Sequence, residues 1–411
     1  MLNLFNTLSQ QKEPFEPVNP GSKEVGIYVC GVTPYDTSHI GHAMVGVFFD
    51  TLHRYLEYLG YEVCHVQNLT DIDDDIIKRA RRDGVAYDEL GKRWNQIYLD
   101  SLTALNVQPF DRYIPASTEV STIIEIVQGL VEKGFAYPAR DGNVYFRAAS
   151  FQDYGKLAHL GEQELLEKAQ AGATDSLADA PGNPAKESDL DFIVWQAAQP
   201  NEPFWESPWG QGRPGWHIEC SAIGLKHLGT RFEIHGGGAD LIFPHHSSEI
   251  AQSEACSGTS PFVKYWMHVG MVHLGGEKMS KSLGNLVLVG NALKEFSPDA
   301  LRLYLLSTHY RTPLHYEATG VTQAEGQVAV LRQALEAHSS SGGAGLEFAA
   351  WLAGFLTALD DDLDTPQAIQ AALGLAQEII NASREGQEVS AAQKTLRLMV
   401  GLLGLFLASA N

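Results

Sequence analysis

Basic residues are scarce in this chain. Its 411 residues include 29 Lys and Arg against 50 Asp and Glu, a net charge of −21. Broad, non-specific binding to nucleic acid needs cations to neutralise phosphates, so this balance argues against it and leaves room only for a local basic track. The short cluster Lys78, Arg79, Arg81 and Arg82 reads as a solvated helix face. Cysteines are few as well: Cys30, Cys64, Cys220 and Cys256. That is no disulfide framework in so long a chain, and it points to a reducing cytoplasm. Long apolar runs are missing. Leu398 to Ala410, the longest, is too short to span a bilayer and reads as a core helix, and no basic-then-apolar signal segment opens the chain. The expectation is a cytoplasmic protein with no membrane part. What is present, 44% hydrophobic and 19% charged residues, suits a globular protein of two or three domains.

Two short motifs carry chemistry. His39-Ile40-Gly41-His42 lies near the start, and Lys278-Met279-Ser280-Lys281-Ser282 follows a domain's length later. Two neutral imidazoles on the first turn of a helix can donate to phosphate oxygens, where the helix N-terminus adds partial positive charge. Two lysines on a loop flanked by Gly275-Gly276 and Gly284 can close over a triphosphate and leave with pyrophosphate. Alone, the first motif could be a helix start with incidental histidines. Together, in this order, they mark a site where a carboxylate attacks the α-phosphate of ATP and charge on the phosphates must be stabilised.

Pattern and punctuation give the organisation. Val25 to Cys30 is β-rich and ends at Gly31. Thr37-Ser38 can cap a helix entering at His39, whose apolar face recurs at Val45, Phe48, Leu52, Tyr55, Leu56 and Leu59 before Gly60. Tyr61 to Gln67 reads as the next strand. Residues 25–67 thus form a βαβ unit with the histidine turn at its carboxyl-end crevice, where open α/β sheets bind ligands. An insertion follows at 113–215, with a helix over Val120 to Lys133, a strand around Gly142 to Phe146 and a loose segment from Ala169 to Lys186. Sheet patterning returns at Phe232 to His235 and Met267 to Val272. From about 320 the chain is helical, broken by a Ser/Gly linker at Ser339 to Gly345, with Thr365-Pro366 as a helix start. The expected fold class is α/β: a Rossmann-type parallel-sheet catalytic domain in two halves, 1–112 and 216–318, split by the 113–215 insertion and followed by a helical bundle at 319–411.

These motifs resemble the class I aminoacyl-tRNA synthetases, and more closely the cysteinyl-tRNA synthetase family. The resemblance runs through Tyr28-Val29-Cys30-Gly31, Asn68 to Asp74, Gly215 to Ser221, Ile234 to Gly238, Phe243 to His246, the lysine loop and Ser307 to Arg311. It implies a cysteinyl-adenylate intermediate and a bound zinc that reads the cysteine side chain. His39, His42, Lys278 and Lys281 would be catalytic. His39, Gly41, His42, Gly238, Asp240 and Lys281 would bind ATP, supplied with Mg2+, Asp240 holding the ribose. Gly31 and Thr70 would contact the cysteine backbone, Trp216 would wall its pocket and His235 would face its sulfur. A run of three glycines, 236–238, is costly in backbone entropy, and close approach of an adenosine would justify it; a plain turn is the alternative.

The resemblance also unites Cys30, Cys220, His245 and Glu249 as ligands of one zinc per chain. Residue chemistry agrees. His245 and Glu249 stand four apart and share a helix face, and two thiolates, an imidazole and a carboxylate suit zinc. Cysteine and serine differ by one atom, and an apolar pocket separates such neighbours by only about 1–3 kcal/mol. Zinc–thiolate bonding would widen that gap; a purely structural ion is the alternative.

The acceptor is read as cysteine tRNA, with the protein acting as a monomer. Cys30-Gly31-Val32-Thr33-Pro34-Tyr35-Asp36, Gly270-Met271-Val272 and Gly284 to Val287 lean instead toward a sister family, the mycothiol-pathway ligase that joins cysteine to a glucosaminyl-inositol amine. So does a chain that stops soon after one helical bundle, where the synthetases usually add a small anticodon-reading domain. Glu249, Asp240 to Phe243, Glu249 to Gln252 and Leu359 to Asp362 with Thr365 to Ala368 lean toward the synthetase. A non-catalytic binding paralogue is a third reading, disfavoured because it would need neither phosphate motif.

Overall fold

The structure is a computed structural model, and it describes residues 1–36, 38–170, 180, 182–279, 284–340 and 345–407. The chain opens with a hairpin, β1 (Asn3–Asn6) and β2 (Gln11–Pro14), followed by β3 (Glu24–Val29), α1 (Ile40–Tyr58), β4 (Glu62–Leu69), α2 (Asp74–Asp83), α3 (Tyr87–Ala104) and β5 (Arg112–Pro115). An excursion then carries α4 (Val120–Glu132), β6 (Ala136–Pro138), β7 (Val144–Phe146), α5 (Glu162–Gln170), β8 (Phe192–Ala197) and β9 (Gly212–Pro214). Its four strands form an antiparallel sheet in the order β6-β7-β8-β9. The chain returns through α6 (Trp216–His227), β10 (Phe232–Gly238), α7 (Ser247–Ser257) and β11 (Val263–Val269).

A five-stranded parallel sheet in the order β11-β10-β3-β4-β5 is the frame. The chain winds from β3 toward β5 on one side and places β10 and β11 on the other. The switch point therefore falls between β3 and β10, and a crevice opens beyond their carboxyl ends, the position where doubly wound sheets take ligands. Cys30 follows β3 directly, and Gly238 ends β10.

A further small sheet comes next, of β12 (Val272–Leu274), β13 (Glu277–Lys278) and, after α8 (Val289–Glu295) and α9 (Pro298–Leu306), β14 (Leu314–His315). Helices α10 (Ala318–Glu336), α11 (Ala349–Asp360), α12 (Thr365–Arg384) and α13 (Ser390–Leu402) complete the chain. These last helices share one continuous apolar core with the sheet: Leu4, Val47, Leu301, Leu375 and Met399 belong to the same buried cluster. Among the described residues no helix is long and apolar enough to cross a membrane.

Local details depart from the sequence reading. Helix α1 is capped by His39, whose Nδ1 accepts the Gly41 N–H at 3.1 Å; the proposed cap residue Thr37 lies outside the described residues. The three glycines at 236–238 continue β10 instead of forming a turn. Met267 to Val272 is broken at Gly270, because its N–H donates to the Tyr310 carbonyl at 2.7 Å and a side chain there would meet the Thr312 carbonyl oxygen. Asp364, not Thr365, caps α12 by accepting from Gln367 N–H, while the Thr365 hydroxyl turns inward to the Leu306 carbonyl. The apolar run from Leu398 leaves the helix at Leu402, where Gly404 takes φ +69°.

Candidate active site

The crevice is a cleft of about 380 Å³. His39, Gly41 and His42 of the helix start line it together with Cys30, Gly31, Trp216, Gly238, Asp240, Gly270 and Met279. The imidazoles of His39 and His42 stack at 3.7 Å. Because His39 Nδ1 accepts from Gly41, the proton of the neutral ring is assigned to Nε2, leaving that nitrogen a donor. Gly41 is required by this cap, since a Cβ would come within 2.9 Å of the His39 ring.

The two sequence motifs are joined physically. Ile40 N–H donates to the Val287 carbonyl at 2.9 Å and Val289 N–H to the Ser38 carbonyl at 3.1 Å, an antiparallel bridge of His39 with Leu288. On the other flank of the lysine loop, β13 pairs with β12 and Met279 N–H donates to Val272 at 3.0 Å. Both ends of the loop are thus tied to the cleft. Lys278 is the last residue of β13; Lys281 lies outside the described residues.

Beside the cleft, four of the expected side chains converge. Cys30 Sγ is 3.8 Å from Cys220 Sγ and 3.5 Å from Glu249 Oε1, and His245 Nε2 is 3.1 Å from that same oxygen. Ligand atoms on a tetrahedron around zinc stand roughly 3.3–3.8 Å apart, so the quartet is close to coordinating spacing. Cys220 sits in the second turn of α6. His245 and Glu249 come from the join of a short π-turn (Ile242–His246) and α7.

The surroundings suit a cation. Burial raises Glu249 well above the usual carboxyl range, only partly offset by Cys30, and its Oε2 has no hydrogen-bond partner. Burial likewise raises the Cys30 thiol. It would raise Cys220 too, but hydrogen bonding with Cys30 and attraction to His245 bring that thiol down to about 7. Two thiols, an imidazole and a carboxyl with an orphaned oxygen, all buried, form a donor set that a zinc ion would satisfy.

The other expected residues are placed less simply. Trp216 stacks on His245 at 4.3 Å and walls the cleft. Gly31 meets β4 so closely that a Cβ would lie 1.8 Å from the Asn68 carbonyl oxygen, so packing alone requires glycine there. Thr70 is buried behind the lining and its hydroxyl accepts from Asn68 Nδ2 at 3.0 Å. His235 is sandwiched between Tyr28 and Trp266, and its Nε2 faces Cys30 at 3.6 Å and Glu249 at 3.5 Å instead of the open cleft. Gly236 is explained by Phe49, whose ring would lie 1.9 Å from a Cβ, rather than by a nucleotide.

Sequence reasoning missed several neighbours. His246, the second of two adjacent histidines, approaches Cys30 Sγ at 3.2 Å. His217 Nδ1 lies 2.9 Å from His245 Nδ1. Glu219 is fully buried, with neither carboxylate oxygen in hydrogen-bonding geometry to a donor; burial raises its pKa strongly and the nearby Thr70 hydroxyl offsets this only in part. The available signal was the density of histidine and acid in Trp216 to Cys220 and His245 to Glu249.

Comparisons with known proteins identify the family of the chain. Residues 15–326 match the family described as tRNA synthetases class I (C) catalytic domain, and residues 354–408 match the DALR domain. The cysteine--tRNA ligase of Dehalococcoides mccartyi is 46% identical over the whole chain and 87% of its own length; that of Alkalilimnicola ehrlichii is 45% identical over 98% of the chain and 86% of its own. Among solved structures, Mycobacterium tuberculosis methionyl-tRNA synthetase in complex with methionyl-adenylate superposes with a TM-score of 0.66 at 17% identity, covering 92% of this chain and 88% of that one, a likeness of fold. A full-length match at this identity, on a Rossmann-like fold with the histidine turn at its switch point, makes the chain a member of the cysteine--tRNA ligase family of class I synthetases.

Proposed function

We propose that this protein, a cytoplasmic monomer, uses ATP with Mg2+ to activate L-cysteine as cysteinyl-adenylate and transfers the cysteinyl group to the 3' end of cysteine tRNA. The observation that carries the reading is the adjacency of the Cys30–Cys220–His245–Glu249 cluster to the cleft lined by the histidine turn. In the first step a carboxylate oxygen of cysteine attacks the α-phosphorus and pyrophosphate leaves. In the second the terminal ribose hydroxyl attacks the carbonyl carbon and AMP leaves.

The chain's own groups have defined tasks in this reading. His39 Nε2 and His42 donate to phosphate oxygens as charge builds on them. Gly41 keeps the backbone low enough for that approach, and Gly238 and Asp240 take the adenosine, the acid receiving the ribose hydroxyls. Lys278 and Lys281 neutralise the leaving pyrophosphate. Such pre-placed donors act mainly on the transition state, and removing one costs about 10²–10³ in rate. Cys30, Cys220, His245 and Glu249 hold a zinc ion, which when bound supplies a soft-leaning Lewis acid that distinguishes a thiol from an alcohol. Trp216 walls the side-chain pocket and Gly31 lines the backbone end with Thr70 behind it, while His235 supports the ligand cluster from behind.

The test has two arms. Exchange of labelled pyrophosphate into ATP should depend on cysteine, and Lys281→Ala should reduce it about 10²-fold or more with cysteine affinity kept. TRNA transcripts and glucosaminyl-inositol are then offered as acceptors, and only cysteine tRNA should be cysteinylated. Labelling of the amino-sugar alone would replace the acceptor half of the proposal.

A further inference from the structure

Cys30 and Glu249 belong to two ligand sets, not one. Besides Cys220 and His245, the pair is approached by His235 and His246. The distances are 3.6 and 3.2 Å from Cys30 Sγ to the two Nε2 atoms, and 3.5 and 3.9 Å from Glu249 Oε1 to the same atoms. The four atoms of each set lie within 4.8 Å of one another, and all four residues of each are buried. Against the spacing of roughly 3.3–3.8 Å for tetrahedral zinc, the second set fits about as well as the first.

Outer contacts also prepare the second set. His246 Nδ1 is 2.7 Å from His268 Nε2, and His268 Nδ1 is 2.8 Å from the Thr7 hydroxyl. With protons on both Nδ1 atoms, His246 donates to His268 and His268 to Thr7. The Nε2 lone pair of His246 is then left aimed at Cys30 and Glu249. An imidazole oriented through its far nitrogen is the usual support of a metal-bound histidine. The two sets differ in access. None of Cys220, His245, His235 and His246 lines the cleft itself, but His245 stacks on Trp216, which does, whereas His235 and His246 pack against the buried Trp266.

We infer that the metal ion has two overlapping seats hinged on Cys30 and Glu249: an outer one completed by Cys220 and His245 beside the cleft, and an inner one completed by His235 and His246. This rests on reading the cluster as a zinc site. One ion occupies one seat at a time, and the inner seat retains it when an outer ligand is lost or released. The two seats are told apart by thiolate count, two in the outer and one in the inner.

The experiment strips the full-length protein with chelator and reloads it with Co2+, whose thiolate charge-transfer band in the near ultraviolet scales with the number of bound thiolates. Metal content is measured alongside. The unaltered chain should bind one ion with a two-thiolate band. His245→Gln should keep one ion yet lose about half of the band, because the ion moves inward and leaves Cys220, although no thiol was removed. Cys220→Ala should also keep one ion with a one-thiolate band, its affinity lowered by less than about 100-fold. Cys220→Ala combined with His246→Ala should lose the ion, as should Cys30→Ala. Circular dichroism checks folding, and His245→Gln serves if Cys220→Ala does not fold. A two-thiolate band in His245→Gln, or Cys220→Ala as empty of metal as Cys30→Ala, overturns the inner seat and leaves the zinc reading intact. Two ions per chain overturn the single-occupancy claim. No ion in the unaltered chain ends the zinc reading itself.

Discussion

Asp50 lies on the buried side of α1, the helix that opens with the histidine turn, and it is 2% exposed. Burial would raise its pKa, but Arg302 and Arg54 together more than offset this and hold it below the usual value of 3.8. Arg302 is itself buried, pairs with Asp50, and donates to the Leu403 carbonyl at 2.6 Å and the Leu105 carbonyl at 2.8 Å. One guanidinium thus ties the catalytic helix to the ends of α3 and α13. Asp50→Asn should cost about 3–5 kcal/mol at neutral pH, because it leaves a buried cation unpaired. The sign with pH follows from the depressed native pKa. The carboxylate's contribution is complete above the unfolded value and is lost as pH falls through the native one, so the gap between variant and parent should narrow below about pH 4. Urea unfolding at pH 7 and at pH 3 measures both; an equal gap at the two values would contradict the pairing. None of this was legible in the sequence. Arg302 and Asp50 are 252 positions apart, and each sits in a helical pattern that would equally suit a surface charge.

At the scale of elements, the packing of α1 against β10 sets the distance between the histidine turn and the Cys30–Cys220–His245–Glu249 cluster. The contact is Phe49 against Gly236, where an added Cβ would lie 1.9 Å from the ring tip. Gly236→Ala must therefore push the helix off the sheet, with an overpacking cost at or above the usual range of about 1–3 kcal/mol. Phe49→Leu removes the ring tip and should restore part of the lost stability when combined with it. Thermal unfolding of the two single variants and the double variant is the check, and a purely additive double would deny the contact. The βαβ unit that supplies α1 to this contact was readable from pattern, since α1 follows the expected apolar repeat and β3 and β4 are the β-rich runs on either side of it. The caps were less readable. A serine, threonine or aspartate near a helix start is interchangeable by pattern, and His39 and Asp364 won those positions through side-chain geometry that no local rule ranks.

For the whole molecule, what the sequence offered was the chemistry of the site, and what it withheld was the arrangement. Beyond the four-residue spacing of His245 and Glu249, residues 30, 220, 245 and 249 carry no shared local pattern, and only family resemblance united the four. Of the second pair, His246 stayed hidden because an adjacent histidine beside a recognised one adds no periodicity, and His235 was read only as facing the substrate sulfur. Net charge acts at this same scale. With −21 overall, the surface repels a polyanion except along local cationic tracks. A tRNA complex should then neutralise few phosphates, fewer than about five, and the logarithm of affinity should fall against the logarithm of salt with a slope shallower than about −4. All three arginines in the basic cluster of α2 are already engaged by acids: Arg79 by Asp36 and Asp83, Arg81 by Glu202 and Arg82 by Asp83. Neutralising these three should accordingly leave the slope within about one unit of the parent. The measurement is the concentration dependence of cysteine tRNA charging between 50 and 300 mM salt (values on the order of those that resolve such slopes), for the parent and the triple Arg→Gln variant. A slope near −8, or one that collapses in the variant, would show that the acidic surface hides an extended phosphate track running over α2.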